Sequence, residues 1–196
     1  MTDTTETEVK LHYPDLVGMQ TRLEAAGAEL IVPRVFERNV RYENAEKTLS
    51  PRGIVLRLRE DNHVRLTYKE GGKLEDGVVS RFEAEVEVSD FGVMQTILGK
   101  LGYAPYLIYE KYRMTYMLDG AEVVLDEMPY GNFIEIEGDK DTIERVMTRL
   151  GLQGARRYTQ SYIVLFQIVK ARLGLTCHDL TFANFEGVDV PESAFA

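Results

Sequence analysis

The chain has 196 residues and a mass of 22.3 kDa, enough for one compact domain with a substantial core. Acidic residues outnumber basic ones by 32 to 23, giving a formal charge of -9, which argues against binding of nucleic-acid polymers or of anionic membranes. The single cysteine excludes an internal disulfide and a multi-cysteine zinc site, and no apolar run is long enough to span a membrane. We therefore expect a soluble, cytoplasmic protein.

Alternation with a period of two predicts a series of short β-strands, and a helical period appears between and after them. The predicted elements in chain order are a strand at 4–12, a helix at 14–27, strands at 30–43, 53–60, 63–69 and 79–88, a helix at 90–102, strands at 108–118, 121–128 and 132–138, and helices at 140–151 and 158–173. Gly71 and Gly72 predict a polar loop, and Asp119-Gly120 predicts a tight hairpin turn. Residues 178–196 show no period, so we expect an extended, mobile tail there.

Every predicted strand except the second carries a column of charged side chains on one face, because alternate residues of a strand point to opposite sides of a sheet. For any single strand, the simplest explanation is a charged face that meets water. Taken together, however, the columns are rich in arginine, at positions 57, 59, 65, 81 and 113, and in glutamates two residues apart. This composition differs from that of an ordinary solvent-exposed face and indicates a binding surface.

The two charge types in these columns suit a metal complex of a polyphosphate. Guanidinium groups bind phosphate oxygens in a bidentate manner. The pairs Glu6/Glu8 and Glu135/Glu137 hold carboxylates close together, and such pairs resist joint ionisation unless a cation lies between them. Mg²⁺ or Mn²⁺ would serve, and Asp126 could add a further oxygen ligand. The apolar columns would then face outward, under the helices.

A series of motifs between residues 4 and 166 occurs in a recognisable order. The motifs are Glu6-Thr-Glu8-Val-Lys10, Leu56-Arg57-Leu-Arg59-Glu60, Leu66-Thr-Tyr-Lys69, Ser80-Arg81-Phe-Glu83, Leu101-Gly-Tyr103, Glu110-Lys111-Tyr-Arg113, Val124-Leu-Asp126, Gly131-Asn-Phe-Ile-Glu135-Ile-Glu137 and Ser161-Tyr162. This series resembles the CYTH domain of the triphosphate tunnel metalloenzymes, the superfamily of class IV adenylyl cyclases, thiamine triphosphatases and inorganic triphosphatases. Asn39 departs from the resemblance, because many relatives have an acid there, and Glu83, Glu85 and Glu87 allow more than one alignment.

The resemblance implies an α+β fold with an eight-stranded antiparallel β-tunnel, charged inside and covered by helices outside, in residues 1–174, followed by a C-terminal tail in 175–196. It implies that the substrate is bound by Lys10, Arg57, Arg59, Lys69, Arg81, Lys111 and Arg113. It implies a catalytic role for Lys10, Arg59, Lys69 and Arg113. It implies that Mg²⁺ or Mn²⁺ is held by Glu6, Glu8, Asp126, Glu135 and Glu137.

Three functions remain open at this point. The first is hydrolysis of the terminal phosphate of inorganic triphosphate or of a small organic triphosphate, such as ATP or thiamine triphosphate. The second is cyclisation of ATP to cyclic AMP and pyrophosphate, and the third is noncatalytic binding of a polyphosphate or nucleotide. The apolar residues of Tyr162-Ile-Val-Leu-Phe166, at helical spacing, predict either core packing or a homodimer contact.

Overall fold

The computed structural model describes residues 5–195. Its antiparallel strands form a closed barrel. The strands are β1 (Thr5–His12), β2 (Glu29–Asn44), β3 (Val55–Glu60), β4 (Val64–Glu75), β5 (Val78–Val88), β6 (Tyr103–Leu118), β7 (Ala121–Met128) and β8 (Gly131–Glu137). Around the barrel they follow the order β1-β5-β4-β3-β2-β6-β7-β8, and the last strand pairs with the first. The predicted eight-stranded antiparallel tunnel of the α+β class is confirmed.

Each of the four α-helices is capped by the side chain of the residue directly before its first turn. They are α1 (Leu16–Ala25), α2 (Phe91–Lys100), α3 (Lys140–Arg149) and α4 (Tyr162–Leu173), and their cap residues are Asp15, Asp90, Asp139 and Ser161. Each cap accepts a hydrogen bond from a first-turn amide that no helical carbonyl can reach. The last helix begins later than predicted because Tyr158 donates its backbone N–H to the carbonyl of Lys10, at 2.8 Å, and so extends the sheet instead.

The apolar faces of the strands point outward, and the helices and the C-terminal segment cover them in three clusters, whereas Phe82 and Val86 of β5 stay exposed. Val9 and Leu11 of β1 pack with Met19 of α1 and Ile143 of α3 in one core cluster. A second cluster lies under α4 and the C-terminal segment, and a third lies under α2. Burying each of these large apolar side chains contributes about 1.5–3 kcal/mol to stability. Because the clusters lie outside the strands, the hydrophobic core surrounds the barrel, and the interior of the barrel holds polar groups.

The C-terminal segment packs against the barrel, so the prediction of an extended tail is wrong. It contains short 3-10 helices at Phe182–Phe185 and Glu192–Phe195, and Leu180 is fully buried. The backbone of Leu180 bonds to Ile108 and Glu110 of β6, each at 2.9 Å. These bonds occupy the edge of β6 that β7 leaves uncovered, because β7 pairs with β6 only from Tyr112 onward.

The glycine pair in the fourth strand is a strand irregularity and not the predicted loop. Strand β4 continues to Glu75, and its pairing with β5 shifts between Glu70 and Lys73. Gly71 and Gly72 have φ angles of 68° and 148°, which only glycine adopts freely. The hairpin predicted at residues 119–120 is confirmed by their positive φ angles of 52° and 86°.

No helix within residues 5–195 combines the length and the apolar character that crossing a bilayer requires.

Candidate active site

A cavity of about 290 Å³ lies inside the barrel, and every strand contributes at least one side chain to its wall. All the residues predicted to bind substrate line it. Among the predicted metal ligands, Glu6, Glu8, Glu135 and Glu137 also line it. The alternation of the strands therefore brings these distant residues together, since each strand turns its polar column inward.

Asp126 lies behind the cavity wall and holds two of its bases in place. The carboxylate is fully buried and accepts hydrogen bonds from Arg113 through Nε (2.8 Å) and Nη2 (2.6 Å). It also accepts from Lys111 Nζ (3.1 Å) and from the hydroxyl of Tyr162 (2.8 Å). With these donors on both of its oxygens, Asp126 orients cations in this arrangement, and the metal role predicted for it from the sequence stays a prediction.

Glu135 is also engaged by bases. Its carboxylate lies 2.6 Å from Arg113 Nη2 and 3.1 Å from Lys10 Nζ. Burial alone would raise the pKa of Glu135, but the charges of Lys10, Arg113 and Lys111 hold it well below its ordinary value. Glu135 is therefore ionised at neutral pH and fixes the two side chains that it contacts.

Glu6 joins the two bases at the β4–β5 side of the cavity. Its Oε2 lies 2.6 Å from Lys69 Nζ and 3.2 Å from Arg81 Nε. Although burial opposes ionisation, the charge of Lys69, a hydrogen bond with Glu83 and the charge of Arg81 lower the pKa of Glu6 to about 2. Glu6 is thus a permanently charged partner for both bases.

Three glutamates form a row across neighbouring strands on one wall of the cavity. Glu137 of β8 lies directly opposite Glu8 of β1 on one side and Glu122 of β7 on the other. The side chains of Glu122 and Glu137 form no hydrogen bond and no ion pair with any other residue between 5 and 195. Burial and the negative charges of Glu6 and Glu122 raise the pKa of Glu137 to about 7. We call these three residues the carboxylate row.

The carboxylate row has the chemistry of a divalent-cation site. Burial and the charge of Glu135 also raise the pKa of Glu8, so negative charges face one another here without enough compensation. A hard divalent ion prefers such oxygen donors and would remove the repulsion. No three acidic, histidine or cysteine side chains in the described part of the chain already converge into a metal cage. Binding would therefore require these flexible side chains to move toward the ion.

Strand β2 contributes residues that the sequence analysis missed, because it was wrongly taken to lack a charged column. Glu37, Asn39 and Arg41 alternate along β2, and all three are buried. Glu37 lies 3.5 Å from Lys111 and 3.8 Å from both Arg59 and Arg113. Despite burial, the positive charges of Lys111, Arg113 and Arg59 lower its pKa to about 2. The same alternation rule would have found this column.

Glu85 resolves the ambiguity among the glutamates of β5. It lies 3.1 Å from Arg59 and 3.5 Å from Arg57, and it accepts a 2.7 Å hydrogen bond from Thr67. Glu83 instead faces Lys69, whereas Glu87 pairs with the exposed His63. The paired arginines of β3 therefore have Glu85 as their β5 partner.

Two tyrosine hydroxyls complete the polar wall. Tyr162, at the start of α4, was predicted to be a core or dimer contact, and its ring is indeed buried. Its hydroxyl nevertheless reaches Asp126, and Lys10 Nζ lies 4.5 Å from its ring centroid. On β6, Tyr109 accepts a 3.2 Å hydrogen bond from Arg57 Nη1. The apolar helical period around Tyr162 gave no indication of its polar contacts.

Comparison with known proteins relates this barrel to one family. The model of the CYTH domain matches residues 4–150, whereas the motifs alone suggested a resemblance to about residue 166. The protein of Methanocaldococcus jannaschii named "Putative adenylate cyclase MJ0240" is 28% identical over 134 residues, which are 67% of this chain and 75% of that protein.

Two solved structures share the architecture. The PH1012 protein of Pyrococcus horikoshii is 27% identical, with a TM-score of 0.68 over 82% of this chain and 98% of its own. The Hippeastrum protein named "Putative adenylyl cyclase HpAC1", which is described with a dominant triphosphatase activity, is 21% identical, with a TM-score of 0.64 over 83% of this chain and 95% of its own. At this identity, the second likeness concerns the fold alone.

Proposed function

This chain belongs to the CYTH domain family, and from that premise we propose that it is a divalent-metal-dependent triphosphatase. Its substrate would be inorganic triphosphate or a small organic triphosphate, such as a nucleoside or thiamine triphosphate, and its product would include the released terminal phosphate. One observation carries the proposal: a cavity of about 290 Å³ inside the barrel holds both a dense set of lysines and arginines and a row of carboxylates in which Glu122 and Glu137 have no ion-pair partner among residues 5–195.

The basic side chains support recognition of a short, highly charged anion. Those that line the cavity are Lys10, Arg41, Arg57, Arg59, Lys69, Arg81, Lys111 and Arg113. A strand barrel surrounds them, so a polymer cannot lie across them as it would on an open face. A chain of a few phosphates has the charge density that this number of bases matches.

The metal would be held by the carboxylates of the cavity. Glu8 and Glu137 are the best placed, because burial and the charges of neighbouring glutamates raise the pKa of both. Glu6 and Glu135 could exchange a basic partner for the ion. Bound there, Mg²⁺ or Mn²⁺ would neutralise phosphate charge and lower the pKa of a water molecule that attacks phosphorus.

The protein's own contribution would be positioning and charge. Phosphoryl transfer spreads negative charge over the transferred group, and cations already fixed in place stabilise that charge without reorganising. Asp126 and Glu135 hold Arg113, Glu85 holds Arg59, and Glu6 holds Lys69. Lys10, fixed by Glu135, completes the set that we propose to be catalytic.

Cyclisation of ATP is the second candidate, because the M. jannaschii relative is named as an adenylate cyclase. A cyclase must also hold adenine, and base recognition usually needs an apolar or aromatic slot. The apolar side chains on the cavity wall are few, namely Val55 and Ile163, and the hydroxyls of Tyr109 and Tyr162 are engaged with charged groups. This lining favours the triphosphatase.

A substrate panel tests the proposal. Purified protein is given tripolyphosphate, thiamine triphosphate or ATP with Mg²⁺ or Mn²⁺, and phosphate, pyrophosphate and cyclic AMP are measured. We expect metal-dependent release of phosphate from at least one substrate and no cyclic AMP. Cyclic AMP with pyrophosphate would establish the cyclase instead, and tight tripolyphosphate binding without turnover would indicate a noncatalytic binder.

Two lysines of β4 provide a matched pair of variants for the same panel. Lys69→Ala removes a base from the cavity and should raise KM about tenfold or more, because a charge-assisted hydrogen bond contributes about 1.5–3 kcal/mol. Lys73→Ala removes the same charge from an exposed position on that strand and should leave KM unchanged. Equal effects of the two substitutions would show that the site has been misplaced.

A further inference from the structure

Arg41 is a buried cation without a counter-charge. It is 9% exposed and lines the cavity from β2, yet its Nε has no hydrogen-bond partner. Among residues 5–195 no carboxylate lies within 4.0 Å of its guanidinium, whose one aromatic contact is the ring of Tyr106, with 5.9 Å between Cζ and the ring centroid. The other bases of the cavity each face a carboxylate.

A second arginine lies directly beside it. Arg41 is the cross-strand partner of Arg57 in the β2–β3 ladder, and like charges in direct opposition are destabilising. Arg57 donates to Tyr109 and Thr67, at 3.2 and 3.0 Å, but its Nε is also buried without a hydrogen-bond partner. Each of these two neighbouring guanidinium groups on the cavity wall thus has a donor without a partner.

Tyr109 reports the positive potential of that region. Burial alone would raise its pKa, but the charges of Arg57, Lys111 and Arg41 lower it below the ordinary value for tyrosine. Its hydroxyl already accepts from Arg57, so its own proton remains available for donation to an anion. A phenol and two guanidinium groups are all donors, which is the set that phosphate oxygens require.

The cluster formed by Arg41, Arg57 and Tyr109 lies on a different part of the cavity wall from the carboxylate row. Arg57, Arg41 and Tyr109 lie on the adjacent strands β3, β2 and β6, whereas the carboxylate row lies on β7, β8 and β1. The closed strand order therefore puts the cationic cluster and the acidic row on different walls. A metal-bearing part of a polyphosphate suits the acidic wall, and a phosphate without metal suits the cationic wall.

We propose that Arg41, Arg57 and Tyr109 form an anion subsite that holds a free terminal phosphate of the substrate. The proposal rests on the triphosphatase function above and adds the residues that would hold the unesterified end group of its substrate. Such a group has more negative charge and more nonbridging oxygens than an esterified phosphate, so it can occupy two guanidinium groups and a phenol together. Inorganic triphosphate and the γ-phosphate of ATP both supply this chemistry.

The binding role of Arg41 predicts a cost to the unliganded protein. Repulsion from Arg57 and the unsatisfied Nε both destabilise the fold when no anion is bound. A substitution that removes the charge should therefore leave the melting temperature unchanged or raise it. A residue that only supported the barrel would instead lower the melting temperature when it was replaced.

The test compares Arg41→Gln with Arg38→Gln, which removes the same charge from the outer side of the same strand. Dissociation constants of tripolyphosphate and of ATP are measured by calorimetry in EDTA, and melting temperatures are measured without ligand. We expect Arg41→Gln to weaken binding of both ligands about tenfold or more without lowering the melting temperature, and Arg38→Gln to leave both constants unchanged. Arg41→Lys, which keeps the charge but loses the fork, should give intermediate constants.

A dissociation constant within twofold of the parent protein would overturn the subsite for the ligand concerned, and so would failure of the parent protein to bind tripolyphosphate. A lower melting temperature in Arg41→Gln, with the ligand-induced rise retained, would assign the residue a structural role. Because these measurements are made without metal and without turnover, an absence of hydrolysis in the substrate panel would leave their outcome intact. The two proposals therefore fail separately.

Discussion

The ionised carboxylate of Glu137 lowers the stability of the folded protein. Its pKa of about 7 in the folded protein lies above the ordinary value of 4.5, since burial and neighbouring negative charges favour its protonated form. The folded protein therefore binds this proton more tightly than the unfolded chain does. The resulting penalty is absent below pH 4.5 and grows as the pH rises through about 7.

We predict that Glu137→Gln raises the free energy of unfolding at pH 8 by about 1–2 kcal/mol, allowing for solvent screening of this partly exposed group, with little effect at pH 4.5. The same variant should lose the stabilisation that Mn²⁺ gives the parent protein. Urea unfolding at both pH values, with and without Mn²⁺, measures both effects. Glu46→Gln, at an exposed loop position, is the control and should change neither. A loss of stability at pH 8 would contradict the account.

Glu37 has the opposite titration behaviour. Its pKa of about 2 lies below the ordinary value of 4.5, so its contribution to stability is complete above pH 4.5 and is lost as the pH falls toward 2. Glu37→Gln should therefore destabilise the protein by about 3 kcal/mol at pH 7, because three cations of the barrel interior lose a counter-charge, and by less at pH 3. Chemical unfolding at the two pH values tests this. An equal loss at both would show that the side chain acts through packing alone.

At the residue scale, sequence reasoning identified which side chains enter the barrel but not which partner each one meets. Alternation placed Glu6, Lys10 and Arg113 inside, because it needs only the period of a strand. The bonds from Arg113 and Lys111 to Asp126 depend on the β6–β7 register, which the period does not specify. The sequence therefore predicted Asp126 to be a metal ligand but did not indicate that bases contact its oxygens.

Among the elements, the C-terminal segment is the one that sequence patterns described least well. Its buried residues Leu180, Phe185 and Phe195 follow no regular period, because each lies in an irregular stretch or a short 3-10 helix. They nevertheless cover an edge of β6 and the face of α4. Capped helices and alternating strands were predictable since local chemistry fixes them, whereas this docking depends on surfaces that exist only after the barrel has closed.

We predict that Phe195→Ala lowers the free energy of unfolding by about 2–4 kcal/mol. The ring is 3% exposed and packs against His12, Phe133 and Tyr130. Phe82→Ala removes a 40% exposed ring from β5 and should cost less than about 1 kcal/mol. Urea unfolding of both variants provides the comparison. Similar small losses would mean that the C-terminal segment contributes little to the stability of the barrel.

For the whole molecule, the net charge of -9 conceals a strong internal separation of charge. The barrel gathers bases from all parts of the sequence into one cavity and interleaves them with carboxylates that hold them in position. The net charge of the sequence excluded a protein that is basic throughout, but only the closed strand order shows that Arg41 and Arg57 lie on a different wall from the carboxylate row. That division could not be predicted from the columns alone, since it requires the order of strands around the barrel.

A crystal structure of the protein grown with tripolyphosphate and Mn²⁺ tests the proposed site most directly. We expect an anomalous Mn²⁺ peak within coordination distance of Glu8 and Glu137, and phosphate oxygens within hydrogen-bond distance of Lys69, Arg113 and Arg41. Tripolyphosphate bound outside the barrel, or Mn²⁺ bound without any of the cavity carboxylates, would contradict the proposed site.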